Sequence, residues 1–472
     1  MVLLLTCCAA LSVPVQAAPV QFAVQPNSLS SFLLHPNGYL YSWGWNMFGQ
    51  LSLGDTQYCD LPVRVNFPVG ESGWTMVRPG MGHTLGIGNT GRLYAWGHHR
   101  FGELGLGPPL TDRPSAAQVA FPAGVSAWLD AAASSWHSMA LGNNGQLYSW
   151  GYNLYGVLGY GTINSTQAVP AQVPLPDGVA SWTGVIAGDN HSLAIANTGQ
   201  LFGWGGNQSG QLGNGSKTNQ PTPKASPFPS GVTAWTGLTA GRLHTLALGN
   251  DGDIYAWGNN TAGQLGQGSP SPTNIAVPLL VPKPPGVSSW ASLAAGTLHC
   301  LALTGNGQLY AWGENRAGQL GLGHTNNLGT PTLVPAPSGA SGWSQVTGGN
   351  GYTMGIASNG KLYAWGYAYY GGLGVGAVDH QFKPIEVRGF TDLHLPAPQT
   401  QVVMYDSYFA PDNVFETRIS CPDPKSCRLE SKTTINGIWS NRGSFTIPRG
   451  VLPAYDFFTT NVPVQFYRVR VL

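Results

Sequence analysis

Gly241-Arg242-Leu243-His244-Thr245-Leu246-Ala247-Leu248-Gly249-Asn250-Asp251-Gly252-Asp253-Ile254-Tyr255-Ala256-Trp257-Gly258 contains two short apolar runs around a tight turn. Runs this short, bounded by turn residues, read as strands buried on both faces. Asp251-Gly252 between them predicts a two-residue hairpin with positive φ at both centres. The stretch is one copy of a repeat. Its Trp-Gly pair recurs at Trp43, Trp96, Trp150, Trp204, Trp257, Trp312 and Trp365, spaced 53 to 55 residues apart. A second Trp stands 22 residues upstream in six units (Trp74, Trp128, Trp182, Trp235, Trp290, Trp343), and Gln21 takes that place in the first. A His stands 13 residues upstream in five (His83, His137, His191, His244, His299), with Ser30 and Tyr352 in the other two. These two spacings never vary, whereas the gap to the next upstream Trp does, so length variation falls after the Trp-Gly pair. Two further strands per unit complete a four-stranded repeat without a convincing amphipathic helix. The expected fold is all-β: a seven-bladed propeller in which each blade buries its faces against its neighbours.

Units of this kind resemble the repeats of the regulator of chromosome condensation family. The resemblance rests on Gly241 to Leu248, Asp251-Gly252, Tyr255-Ala256-Trp257-Gly258, Asn260 and Gly263-Gln264-Leu265-Gly266-Gln267-Gly268, and it covers about residues 20 to 390. Ser52 departs from the pattern in the first unit, and the seventh lacks the Asn after Trp-Gly. The resemblance implies a seven-bladed propeller. The family is best known for nucleotide exchange on a small nuclear GTPase, but the fold also serves as an extracellular binding scaffold, so fold alone does not decide function.

The ends of the chain differ from the repeats. Met1 to Ala18 is apolar and closes on Val15-Gln16-Ala17, a small-x-small cleavage pattern, although no Lys or Arg precedes the apolar run; residues 1–18 are expected to be a signal peptide. Export would place the protein at the cell surface, in the periplasm or outside, and a GTPase role would require this segment to stay uncleaved. The propeller is expected over 19–394 and a Pro-rich linker over 395–400. A small β-sandwich-like domain is expected over 401–472, where charged residues become dense and which resembles a module ending some exported bacterial proteins. Cys421 and Cys427 enclose a short loop and are a candidate disulfide.

Of 472 residues only 9% are charged, and the formal net charge is +1. Such a chain lacks the basic footprint that nucleic acid requires. No later stretch is long and apolar enough for a membrane span. With 42% hydrophobic residues, disorder is excluded. No Gly-x-Ser-x-Gly, His-Glu-x-x-His or Cys-x-x-Cys occurs, so neither catalysis nor a cofactor is indicated. The five phased histidines cannot converge on one metal ion from different blades, and each is expected to hydrogen-bond inside its own blade. The tryptophans are expected to be core.

One asymmetry carries functional information. The four residues after Trp-Gly are aromatic-rich in units 7, 1, 2 and 3, which become neighbours when the ring closes. Trp45, Phe48, His98, His99, Phe101, Tyr152, Tyr155, Tyr367, Tyr369 and Tyr370 are therefore candidate partner-binding residues on one arc. The plain counterparts in units 4 to 6 leave the other half polar. Clustered aromatics suit protein hot spots or stacking on sugar rings. The leading expectation is a monomeric, non-catalytic scaffold for an unidentified protein. A carbohydrate-binding or carbohydrate-processing protein is the alternative, and guanine-nucleotide exchange on a small GTPase is the second.

Overall fold

The computed structural model describes residues 28–376 and 379–388 with their side chains. It also describes the backbone of Gln21–Ala23, Val402–Tyr405, Phe415–Asp423, Ser426–Thr433 and Ser440–Phe445. The expected leader, the 395–400 linker and the Cys421–Cys427 side chains lie outside the described residues. Two compact units are present, Met1–Pro396 and Ala397–Leu472. In the second, four strands pair in sequence order as one antiparallel sheet.

The first unit holds seven four-stranded antiparallel sheets over residues 21–64, 74–118, 128–172, 182–226, 235–280, 290–334 and 343–386. Each is one repeat, and its strands lie in chain order. In the fifth blade they are Trp235–Ala240, His244–Gly249, Ile254–Gly258 and Ile275–Leu280. The two middle strands are buried throughout, which is why their sequence is uniformly apolar rather than alternating. His244 pairs with Gly258 and Thr245 with Trp257. Opposite Trp257 the register to the outermost strand breaks, and the same break recurs at every Trp-Gly pair. The break is the same in every blade, and the variable spacing falls in the connection that follows the glycine, as from Gly44 to Cys59, Gly97 to Arg113 and Gly258 to Ile275. The outermost strands are half exposed, and each carries a proline (Pro62, Pro114, Pro170, Pro221, Pro278, Pro331, Pro384). Among the described residues the only helical elements are two three-residue 3-10 turns.

The hairpin turn differs from its expectation. Gly249 N–H donates to Asp253 O, and Gly252 N–H to Gly249 O. Gly252 alone takes positive φ, at 79°. This is a type I turn followed by a left-handed glycine, the three-residue hairpin. Asp251 instead uses its carboxylate to accept the Asp253 N–H at 3.0 Å. Asn37, Asn144 and Asn359 act likewise on Tyr39, Gln146 and Lys361.

Blades are joined by a repeated three-way contact. The seven Trp-Gly indoles are completely buried, each worth roughly 4–6 kcal/mol of gross apolar burial. Each indole N–H also donates to a backbone carbonyl of the preceding blade. Trp96 reaches Gln50 O at 2.7 Å, Trp150 Glu103 O at 2.8 Å, Trp204 Val157 O at 2.8 Å and Trp257 Gln211 O at 2.9 Å. Trp312 reaches Gln264 O and Trp365 Gln319 O. A hydroxyl from the second strand shares that carbonyl: Thr84, Ser138, Ser192, Thr245 and Thr353, with the thiol of Cys300 in the sixth blade.

The phased histidines complete this seam, and they do so between blades rather than inside one. Nε2 of His83 meets Ser138 Oγ at 2.8 Å, and that of His137 meets Ser192 Oγ at 2.9 Å. His191 meets Thr245, His244 meets Cys300 Sγ, and His299 meets Thr353. The hydroxyl hydrogen is committed to the carbonyl, so histidine is the donor and carries its proton on Nε2. Nδ1 is left bare in His83, His191, His244 and His299, because the glycine three residues upstream presses on the ring: an added Cβ at Gly188 would sit 2.0 Å from His191 Cε1. In the third blade that residue is Ser134, whose hydroxyl lies 2.8 Å from His137 Nδ1. Burial lowers all five histidines to about 3, so they stay neutral.

The ring closes in the same way. Ser31 Oγ and Trp43 Nε1 both donate to Gly372 O, and Tyr352, in the histidine position, brings its hydroxyl 2.8 Å from Ser31 Oγ.

Candidate functional site

The loops after Trp-Gly are built on one plan. The second residue is an Asn whose Oδ1 accepts the N–H of the following Leu: Asn46 for Leu51, Asn153 for Leu158, Asn207 for Leu212, Asn260 for Leu265 and Asn315 for Leu320. In the second blade His99 takes this place, and its Nδ1 accepts the Leu104 N–H at 3.2 Å. His99 is completely buried, so it serves the loop from within and offers no surface.

The seventh residue after the Trp is usually Gln or Glu, and its side-chain oxygen accepts the N–H of the fourth loop residue. Gln50 does this for Phe48, Glu103 for Phe101, Gln211 for Ser209, Gln264 for Ala262 and Gln319 for Ala317. Val157 and Gly372 hold this position in the third and seventh blades and have no such acceptor. There the loop tightens into the 3-10 turns Leu154–Gly156 and Tyr369–Gly371, and the fourth residue is forced left-handed: Tyr155 at φ 59° and Tyr370 at φ 62°. Two bulky side chains are thus held in a sparsely populated conformation, which occurs preferentially where binding needs it.

The fourth residue of each aromatic loop leans on the next blade. Phe48 packs edge-on to His98 with centroids 4.6 Å apart. Phe101 stacks on Tyr152 at 5.1 Å and meets Trp136 at 5.5 Å, Tyr155 lies against Gly206, and Tyr370 approaches Trp45 at 6.4 Å. Trp45 in turn meets Phe48 at 5.4 Å, and His98 meets Phe101 at 6.1 Å. A continuous chain of rings therefore runs Tyr370–Trp45–Phe48–His98–Phe101–Tyr152. Tyr367 and Tyr369 stand beside it, sharing His380.

Exposure along the chain is uneven. Tyr369 and Tyr370 are 52% and 48% exposed, and Met47 is 61% exposed. Trp45, Phe48, Phe101, Tyr152, Tyr155 and Tyr367 are half-buried. His98 is 5% exposed, held by Glu103, whose Oε1 lies 2.7 Å from His98 Nδ1. The accessible part of the arc therefore centres on the junction of the seventh and first blades. Trp136, Met47, Gln50 and Glu103 belong to this surroundings although the sequence reading did not select them; only their place within the repeat could have pointed to them. Outside the arc, Arg242 Nε donates to Asp189 Oδ2 at 3.2 Å, and Ser135 Oγ also bonds Asp189.

Among the described residues no group of three or more His, Cys, Asp and Glu could hold a metal ion, and no helix is long and apolar enough to cross a membrane.

Comparison with known proteins agrees with this architecture. Residues 102–408 match the RCC1-like domain, and residues 37–87 match the regulator of chromosome condensation (RCC1) repeat. The ultraviolet-B receptor UVR8 of Arabidopsis thaliana is 32% identical over 319 residues, covering 66% of this chain and 69% of that one. The human E3 ubiquitin-protein ligase HERC2 is 31% identical over 366 residues, 73% of this chain but only 7% of the ligase. Among solved structures, yeast RCC1 (Prp20) bound to Kap60 superposes with a TM-score of 0.66 at 24% identity, covering 80% of this chain and 87% of that one.

Proposed function

This chain belongs to the RCC1-like repeat family, and from that premise we propose that it is a non-catalytic scaffold which binds a protein partner through the aromatic arc. The observation that carries the reading is the pair of left-handed tyrosines. Tyr370 is half exposed at the end of a continuous ring chain and is held in a conformation that costs free energy. Tyrosine and tryptophan are the side chains that concentrate binding energy in protein interfaces. Among the similar proteins, yeast Prp20 has been crystallised bound to Kap60 and described for its binding to Gsp1p and histones. A small share of HERC2 is matched, so ligase chemistry has no place in this reading.

The test immobilises the chain and a Tyr369→Ala/Tyr370→Asn variant, and exposes both to extracellular proteins and to insoluble polysaccharides. Asn tolerates left-handed backbone, so the variant keeps the loop. Capture of a protein by the parent, reduced at least tenfold in a variant of unchanged melting temperature, supports the reading. Equal capture, or capture of polysaccharide alone, overturns it.

The same proposal places the protein outside the cytoplasm, on the strength of the apolar Met1–Ala18 segment alone. A native chain beginning at Ala18 or Pro19 supports this. An intact Met1 overturns it and reopens nucleotide exchange on a GTPase.

A further inference from the structure

Gln50 is 1% exposed, and its Nε2 is buried without a hydrogen-bond partner. The repeat explains why. The Phe48 N–H, 3.0 Å away, requires Oε1 on its side of the amide, as the Ala262 and Ala317 N–H groups do for Gln264 and Gln319. That fixes the amide plane and sends Nε2 toward the first residue after Trp-Gly. In the fifth blade this residue is Asn259, whose Oδ1 accepts Gln264 Nε2 at 2.8 Å; in the sixth it is Glu314, whose Oε2 accepts Gln319 Nε2 at 3.3 Å. In the first blade it is Trp45, whose indole offers no acceptor. The first blade thus keeps the donor and sets a ring, at the accessible centre of the arc, where the fifth and sixth blades set an acceptor; the fourth blade has Gly206 there.

The neighbouring polar groups are already committed or are themselves donors. Glu103, the carboxylate within the arc, is divided between His98 Nδ1 and the Phe101 N–H. Asn46 Oδ1 is held by the Leu51 N–H. What the cluster lacks is an acceptor oxygen supplied from outside. A sugar brings hydroxyl hydrogens that need acceptors of their own. A proline-containing strand in the polyproline II conformation brings carbonyls with few N–H groups, and neutral rings that lie flat on aromatic faces.

We propose that Trp45, Phe48 and Tyr370 form a docking site for an extended, proline-rich segment of a partner protein, one of whose backbone carbonyls accepts from Gln50 Nε2 when the Trp45 ring moves aside. This rests on the reading of the arc as a protein-binding surface and names the chemistry of the segment it takes.

The full chain is titrated, by calorimetry, with capped decaproline, a capped Gly-Ser repeat of equal length, and cellohexaose. Trp45→Asn supplies the acceptor found in the fifth blade and removes the ring; Trp45→Phe keeps a ring and leaves the amide unpartnered. Decaproline is expected to bind the parent, to bind Trp45→Asn at least tenfold more weakly, and to bind Trp45→Phe within threefold. The melting temperature of Trp45→Asn should not fall, which separates lost docking from lost folding. Absence of decaproline binding, equal binding to Trp45→Asn, equal binding of the Gly-Ser peptide, or binding of cellohexaose in its place overturns the proposal. A captured protein that depends on Tyr369 and Tyr370 but is not displaced by decaproline removes this inference and leaves the scaffold reading standing. If no protein depends on those tyrosines, both fall.

Discussion

The indole N–H of Trp43 donates to the carbonyl oxygen of Gly372 at 3.0 Å, joining residues 329 positions apart. The same bond joins Trp204 to Val157 inside the array at 2.8 Å. First and last blades therefore meet as other neighbours do; the seam without the third contact lies between the first and second blades, where Ser30, in the histidine position, donates to Trp45 O of its own blade.

Trp43→Phe and Trp204→Phe should consequently destabilise the propeller by similar amounts, about 1–3 kcal/mol each. Urea unfolding of the two variants checks this. A much smaller effect at Trp43 would mean that the closing seam contributes little.

The five seam histidines make stability depend on pH. Their folded value of about 3 lies below the usual 6.5, so the unfolded chain binds more protons between those limits. Stability is complete above about pH 6.5 and is lost as pH falls toward 3, by about 2 kcal/mol per histidine at pH 5. Melting temperature should fall steeply from pH 7 to pH 5. His83→Gln, which keeps a donor but cannot charge, should flatten the curve; an unchanged slope would remove His83 from the account.

Cys300 is the one thiol in a row of hydroxyls. Its Sγ serves Gln264 O and His244 Nε2, both at 3.2 Å, and burial pushes the thiol well above its usual range. Cys300→Ser should therefore raise stability by roughly 0.5–1 kcal/mol through stronger hydrogen bonds. The native thiol should react with a thiol reagent only after unfolding. Rapid labelling of the folded chain at Cys300 would contradict the seam described above.

Tyr370 separates ring from backbone. Tyr370→Asn and Tyr370→Val both delete the aromatic ring, but only Asn readily accepts φ near 62°. The Asn variant should be the more stable by about 1–2 kcal/mol in chemical denaturation. Equal stabilities would show that the loop relaxes at no cost.

The blade plan was legible because a Trp every 53 to 55 residues is a one-dimensional signal. The continuity of the arc was legible as well, since ring closure follows from counting blades. The histidine contacts were not. His244 bonds to Cys300 rather than within its own blade, and that partner is set by how rigid units stack, which spacing alone does not encode. Turn chemistry misled for a related reason: Asn-Gly marks a tight turn, but the surrounding strands chose the three-residue form with one left-handed glycine. His98 and His99 read as surface groups in a loop, and their burial follows from standing in for residues that brace that loop. The unpartnered amide of Gln50 emerges only when the same two positions are compared between blades.

The prolines on all seven outermost strands carry a consequence for how any partner is held. An incoming chain cannot lengthen these sheets by zipping onto a free margin, because the proline interrupts the row of amide hydrogens such a guest would need. That leaves the loops, where each blade can vary without disturbing its neighbours, as the surface the proposed scaffold role would use.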